Sequence, residues 1–333
     1  MSGWLACGVR GHELDADERR ELAELAPGGI VLFARNVRDR EQLAELVAAL
    51  HELPGRPYVA IDLEGGRVNR LRCLIGELPA PARAAAAGAE AVAALGDALG
   101  AACAHFAIDV DFAPVVDVDR GGYVGGEGRC LGTSPAAVVQ AASRYLAGIE
   151  RFGVATCLKH YPGLGSGPVD SHHALPELGE TAAADEGVFQ RLTAPGRAVM
   201  VAHAMAPSLG EAYAPASLSR TLVGRLAGCP CGPVIADDLE MGALGRFGSL
   251  PERAAAALGA GCHQVLVCNA LAMRRAVVEA VRGRADDDPE LAAALRAAGR
   301  RLAAYGRGGA PAVEWGEVLA RAARARELAG VGA

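Results

Sequence analysis

ATCLKHYPGLGSGPVDSHHALP, residues 155–176, holds the pattern from which the rest of the chain can be read. It opens as a short apolar run and stops abruptly at Lys159 and His160. A loop rich in glycine and proline then delivers Asp170, Ser171, His172 and His173. An apolar run that ends in charge and leads into a loop is the C-terminal end of a buried parallel strand. Lys159 is also the single lysine among 33 Lys plus Arg. Lysine is a compact point donor and arginine a wide planar fork. The lone ammonium is therefore either a retained surface residue or the occupant of a pocket that a guanidinium does not enter.

The same unit recurs on both sides of that stretch. Apolar runs cover 4–9, 29–33, 58–61, 110–113, 154–158, 198–202, 234–236 and 264–267. Helical periodicity lies between them at 15–25, 39–51, 84–106, 135–152, 183–192, 218–226 and 251–260, then at 272–282, 289–305 and 313–328. Asp39 with Gln42 resembles a capping box, and Ser134 before Pro135 is an N-cap followed by proline at the first helical position. Strands apolar throughout are covered on both faces. Eight βα units in about 250–280 residues predict an α/β fold, a single (β/α)8 TIM-type barrel. The chain reads as one domain over 1–333, with the barrel at about 3–285 and a C-terminal helical extension at about 286–330. A doubly wound sheet is the alternative, but the GxGxxG fingerprint after a first strand is missing.

Composition narrows the function classes. A net charge of −6 without a basic stripe, and 4% aromatic residues, argue against nucleic acid as partner. No apolar run approaches the roughly 18 residues of a membrane span. The opening MSGWLACGVRG lacks the basic start of a secretory signal. Nine scattered cysteines with no CxxC pair read as small buried hydrophobes in a reducing compartment, which makes the cytoplasm the expected location.

Barrel active sites gather where strands end. The ends here carry Arg35-Asn36, Asp62, Asp117 a little further on, Lys159-His160, His203, Asp237-Asp238 and Asn269. DLEGGRVNRL, residues 62–71, offers a carboxylate at a strand end, a tight turn at Gly65-Gly66, and Arg67 and Arg70; the plain alternative is a βα turn with a surface ion pair. GEGRCLGTSP, residues 126–135, carries Arg129 on a loop suited to phosphate, yet lacks the P-loop ending. Asp170 and His172 stand two residues apart, a spacing for a carboxylate–imidazole pair that can act as general acid and base. The neighbouring His173 raises a metal reading, but no HxH or HxxxH accompanies it, and neither metal nor cofactor is expected. Asp237 can be a carboxylate nucleophile while Asp238 caps the following helix. His203 fits a pocket or a satisfied core position equally.

Taken together, GGIVLFARN (28–36), DLEGGRVNRL, DVDFAPVVDVD (109–119), KHYPGLG (159–165), DSH (170–172), MVAHA (200–204), PASLS (215–219) and DDLEM (237–241) resemble family 3 glycoside hydrolases of the single-domain bacterial β-N-acetylglucosaminidase type. The resemblance runs from about Gly8 to Asn269. It implies a retaining exo-enzyme that removes terminal N-acetylglucosamine from peptidoglycan-derived or related glycosides. Asp237 would be the nucleophile, and His172 the acid/base with Asp170 as its partner. Asp62, Arg70, Arg129, Lys159, His160 and His203 would bind the sugar. The implied partner is a small carbohydrate, and the implied state a monomer or weak homo-oligomer.

Four departures stand out: Leu63, Leu164, Ala236 and His263 replace residues usual in the family, the first two at positions expected to shape the pocket. Two other classes fit the same residues. One is a glycosyl phosphorylase or β-glucosidase-like member of the family, and the other a non-catalytic sugar-binding barrel.

Overall fold

A computed structural model describes residues 2–309 and 311–332. Eight parallel strands, β1 Ser2–Gly8, β2 Pro27–Leu32, β3 Tyr58–Ile61, β4 Val110–Asp111, β5 Ala155–Tyr161, β6 Arg197–Val201, β7 Val234–Asp238 and β8 Gln264–Val267, follow one another in space as they do in sequence. β8 pairs with β1 and closes the barrel. This is the predicted (β/α)8 architecture. The strands are apolar on both sides because each side meets its own core. Val31, Ala60, Phe112, Met200, Ile235 and Leu266 fill the barrel, while a larger cluster lies between strands and helices. A short antiparallel hairpin, Leu63–Gly65 with Val68–Asn69, is inserted after β3, and its turn uses Gly65 and Gly66 at positive φ.

Several helices differ from the periodicity. The single helix expected over 84–106 is two, Pro81–Ala87 and Ala89–His105. They are broken by Gly88 at φ 115°, a conformation that side-chain-bearing residues rarely adopt. Over 218–226 a 3₁₀ turn at Ala216–Leu218 precedes a short helix Arg220–Gly224, because Ser219 caps the Leu222 N–H and starts the helix late. Ser134 caps as expected. Asp39 accepts from the Gln42 N–H, but the Gln42 side chain turns to the Arg38 N–H, so the capping box is only half formed.

The C-terminal helices are tied closely to the barrel. Pro289–Leu302 packs against β1, and Trp315–Leu328 lies on the Ala89–His105 helix. Between them Tyr305 enters the barrel foot, where its hydroxyl donates to the Thr156 carbonyl at 3.1 Å and its ring meets Tyr58 edge-on. The nine cysteines are free, seven of them buried, with Cys73 exposed and Cys229 between. No helix among the described residues is long and apolar enough to cross a membrane.

Candidate active site

A cavity of about 440 Å³ opens where the strands end. Asp62, Arg70, Arg129, Lys159, His160, Asp170, His172 and Asp237 all line it. Two irregularities in the barrel make this possible. Consecutive residues of a strand point to opposite faces, so Lys159-His160 and Asp237-Asp238 should each send one side chain away. Instead β5 shifts register against β6 between Lys159 and Tyr161, and β8 shifts against β7 so that Leu266 pairs with Asp238 after Val265 pairs with Ala236. Each extra residue is a bulge that re-aims a side chain. Both members of both pairs therefore reach the cavity.

Charge is arranged in a row along one wall. Lys159 Nζ lies 2.7 Å from Asp62 Oδ1 and 2.6 Å from Glu64 Oε1. Arg129 grips Glu64 with two bonds of 2.8 Å from Nε and Nη2. Burial opposes ionisation of Glu64, but Arg129 and Lys159 outweigh it and hold its carboxyl far below the usual range. Glu64 is thus a central residue to which the sequence pattern alone assigns no role. Its signal is the Asp-x-Glu spacing, which in an extended segment puts two carboxylates on one side. The segment is fixed from behind by Asp111, whose Oδ1 accepts the Leu63 N–H at 3.0 Å, and by the Tyr145 hydroxyl, which donates to the Glu64 carbonyl at 2.9 Å. Arg70 lies over the Phe33 ring, and its buried Nε–H has no partner among the described residues.

His160 and two aspartates, Asp237 and Asp238, also line the cavity. His160 Nδ1 bonds Asp117 Oδ2 at 2.8 Å, and Asp117 Oδ1 also accepts the N–H groups of His160 and Leu164. Asp117, counted among the strand-end carboxylates, therefore lies behind the cavity and orients His160. Burial again opposes ionisation of Asp237, but His160, His203, the Asp238 N–H at 2.8 Å and Lys159 outweigh it and hold the carboxyl below its ordinary value. Asp238 shows the opposite: burial, Glu240 and Asp237 push it up to about 7. The expectation that Asp238 caps a helix is corrected. Its Oδ1 accepts the Glu240 N–H at 3.2 Å in a turn, no helix starts there, and the side chain lines the cavity.

His203 is buried behind the wall, not in it. Its ring nitrogens are spent on Ser217 Oγ at 2.7 Å and the Asp238 carbonyl at 2.9 Å, and burial pushes its pKa down. Asn36 is likewise structural, bonding Val9 and Gly11 carbonyls, while Arg35 crosses to the Cys268 carbonyl and Asn269 at the rim.

The dyad forms on its loop. His172 Nδ1 lies 2.8 Å from Asp170 Oδ1, which also takes the His172 N–H at 3.0 Å. Burial raises the Asp170 carboxyl, but these bonds and the Tyr123 hydroxyl bring it below its usual value. His173 Nε2 is 3.9 Å from Asp170 and largely exposed. Of the four departures, Leu164 lines the cavity, whereas Leu63 and Ala236 are buried outside it. His263 precedes β8 at the other end of the barrel, where its Nδ1 accepts the Val234 N–H.

The model of the glycosyl hydrolase family 3 N-terminal domain matches residues 6–303. A curated β-hexosaminidase of Tolumonas auensis is 35% identical, covering 84% of this chain and 87% of its own. One of Alkalilimnicola ehrlichii is 37% identical, covering 87% and 86%. Among solved structures, NagZ of Neisseria gonorrhoeae in complex with N-trifluoroacetyl-D-glucosamine superimposes with a TM-score of 0.80 at 30% identity, over 99% of this chain and 97% of that one. With a barrel of this topology and the site at its strand ends, the chain belongs to glycosyl hydrolase family 3 and is a glycoside hydrolase.

Proposed function

We propose that the protein is a retaining exo-β-N-acetylglucosaminidase that works through a covalent glycosyl-enzyme on Asp237. The observation that carries the reading is one cavity lined by both an aspartate held ionised and a separate imidazole–carboxylate pair. The β-hexosaminidase relatives and the glucosamine derivative bound by the gonococcal neighbour support the sugar.

In the first step Asp237 attacks the anomeric carbon, and the bond to the aglycone breaks as His172 Nε2 gives its proton to the leaving oxygen. Asp170 at Nδ1 stabilises the imidazolium beforehand and fixes the tautomer afterwards. Nε2 then takes a proton from water, the hydroxide adds to the anomeric carbon, and Asp237 departs as a carboxylate. Asp62, Arg70, Lys159 and His160 hold sugar hydroxyls, and the unpartnered Arg70 Nε–H is a donor that a sugar oxygen satisfies. Arg129 acts through Glu64 by fixing Lys159, and His203 acts from behind Asp237. The substrates in this reading are peptidoglycan-derived or related glycosides. They are met in the cytoplasm by one catalytic domain that spans the chain.

The test is His172→Ala. A leaving group of low pKa needs no proton, whereas a sugar alcohol does. Hydrolysis of an unactivated N-acetylglucosaminide should fall far more than the first step on an activated aryl glycoside. The adduct on Asp237 should accumulate and be visible by intact mass, since water loses its base. Equal loss on both substrates with no adduct would return His172 to sugar binding. Identifying the product with and without phosphate separates hydrolysis from phosphorolysis.

A further inference from the structure

The turn that follows the nucleophile strand touches the loop that carries the dyad. Within that loop residues 170–174 close a single turn, with the His173 and Ala174 N–H groups both bonding the Asp170 carbonyl at 3.0 Å. Two further carbonyls of this turn are taken from outside. The Gly242 N–H donates to the His172 carbonyl at 2.9 Å, and the Ala243 N–H to that of Ser171 at 3.1 Å. These donors are free for the purpose because they open the 3₁₀ turn Gly242–Leu244, whose first N–H groups have no partner inside it.

Position 242 admits no side chain while these bonds stand. A Cβ there would lie 2.7 Å from the His172 carbonyl oxygen and 3.0 Å from that of His173, both backbone atoms of the dyad turn. Gly242 does not have a positive φ, so the constraint is the close approach and not its own conformation. A methyl group at 242 must therefore move the turn that holds His172, while the backbone of β7, which ends four residues earlier at Asp238, need not change.

We propose that Gly242 is a positioning residue for the acid/base. It seats the dyad turn against the segment that follows Asp237, so that one turn of chain sets the imidazole in register with the nucleophile. The proposal rests on the assignment of His172 as acid/base.

The experiment compares leaving groups. Gly242→Ala should lower kcat/KM on an unactivated alkyl N-acetyl-β-glucosaminide by about tenfold or more. The first step on a dinitrophenyl glycoside should change by less than about twofold, because that leaving group needs no acid. Ala243→Pro deletes the second N–H without adding bulk at 242, and should show the same selective loss to a smaller extent. Gly187→Ala, where a Cβ meets nothing within 4 Å, is the control and should behave as wild type. Wild-type leaving-group dependence in both test variants, or equal loss on both substrates, overturns the proposal. Should Gly242→Ala not fold, the leaving-group dependence of Ala243→Pro decides by itself. His172→Ala, assayed in parallel, separates the two levels. If it lacks leaving-group dependence, the acid/base assignment falls. If it has the dependence and the two test variants do not, only the positioning role falls.

Discussion

Lys159 sits between two carboxylates with its side chain 3% exposed, so the lone lysine of the sequence occupies a site sized for an ammonium. A guanidinium is wider and planar and cannot put one nitrogen between Asp62 and Glu64 without displacing one of them. Lys159→Arg should lower kcat/KM by about tenfold or more with charge unchanged, as steady-state assays will read. Lys159→Met leaves two carboxylates against one guanidinium and should cost about 3–5 kcal/mol of stability in urea unfolding. Asp238 gives a prediction in pH. Its carboxyl is pushed up to about 7, so between about pH 4 and 7 the native state keeps a proton that the unfolded chain has lost. Wild-type stability is therefore lost through that window as pH rises. Asp238→Asn removes the dependence and should gain on the order of 2–4 kcal/mol relative to wild type between about pH 4.5 and 8. Urea unfolding at the two pH values checks it, and a gap that does not widen with pH would place Asp238 as an ordinary carboxylate.

At the scale of elements, the site depends on segments that are held by others. The stretch Asp62–Glu64 carries two of the charged wall residues, and its backbone is held by Asp111 on β4 and by Tyr145 on the helix Pro135–Glu150. Tyr145→Phe keeps the ring and leaves the Glu64 carbonyl without its donor. It should cost about 1–2 kcal/mol in chemical denaturation. kcat/KM should fall only a few-fold, roughly 1 kcal/mol of transition-state stabilisation, since the ion pairs of Glu64 remain. The two bulges belong to this scale as well. From the alternation of side chains, Asp237 and Asp238 read as one residue for the cavity and one for a cap. The extra residue in β7 overrides that alternation, and no local feature of DDLEM announces it.

For the molecule as a whole, the helices after residue 286 complete the barrel as well as extend it. Tyr305 is buried in the cluster that fills the barrel, against Tyr58, whose hydroxyl bonds Gln264 on β8. Tyr305→Ala should open a cavity at the foot and cost about 3–5 kcal/mol. The candidate site lies at the other end of the strands, so kcat below the melting temperature should stay near wild type. Denaturation midpoints and a rate assay on the same preparation test both halves of this expectation.

What the sequence determined by itself was the repeating unit. Eight apolar runs between amphipathic stretches, six of them with ionisable side chains at or near the C-terminal end, are local patterns, and local patterns survive without a partner to confirm them. That was sufficient for the barrel, for the strand positions and for most of the residues that line the cavity. The tertiary structure alone decided what each charged residue touches. Arg129 meets Glu64 across 65 positions and His160 meets Asp117 across 43, and the pairing of neighbouring strands β3, β4 and β5 brings those partners together. It placed His203 behind the wall, although it had read as a strand-end residue, and it placed His263 at the opposite end of the barrel. It also set the two bulges, because a one-residue shift in pairing reverses side-chain direction while leaving composition and periodicity unchanged.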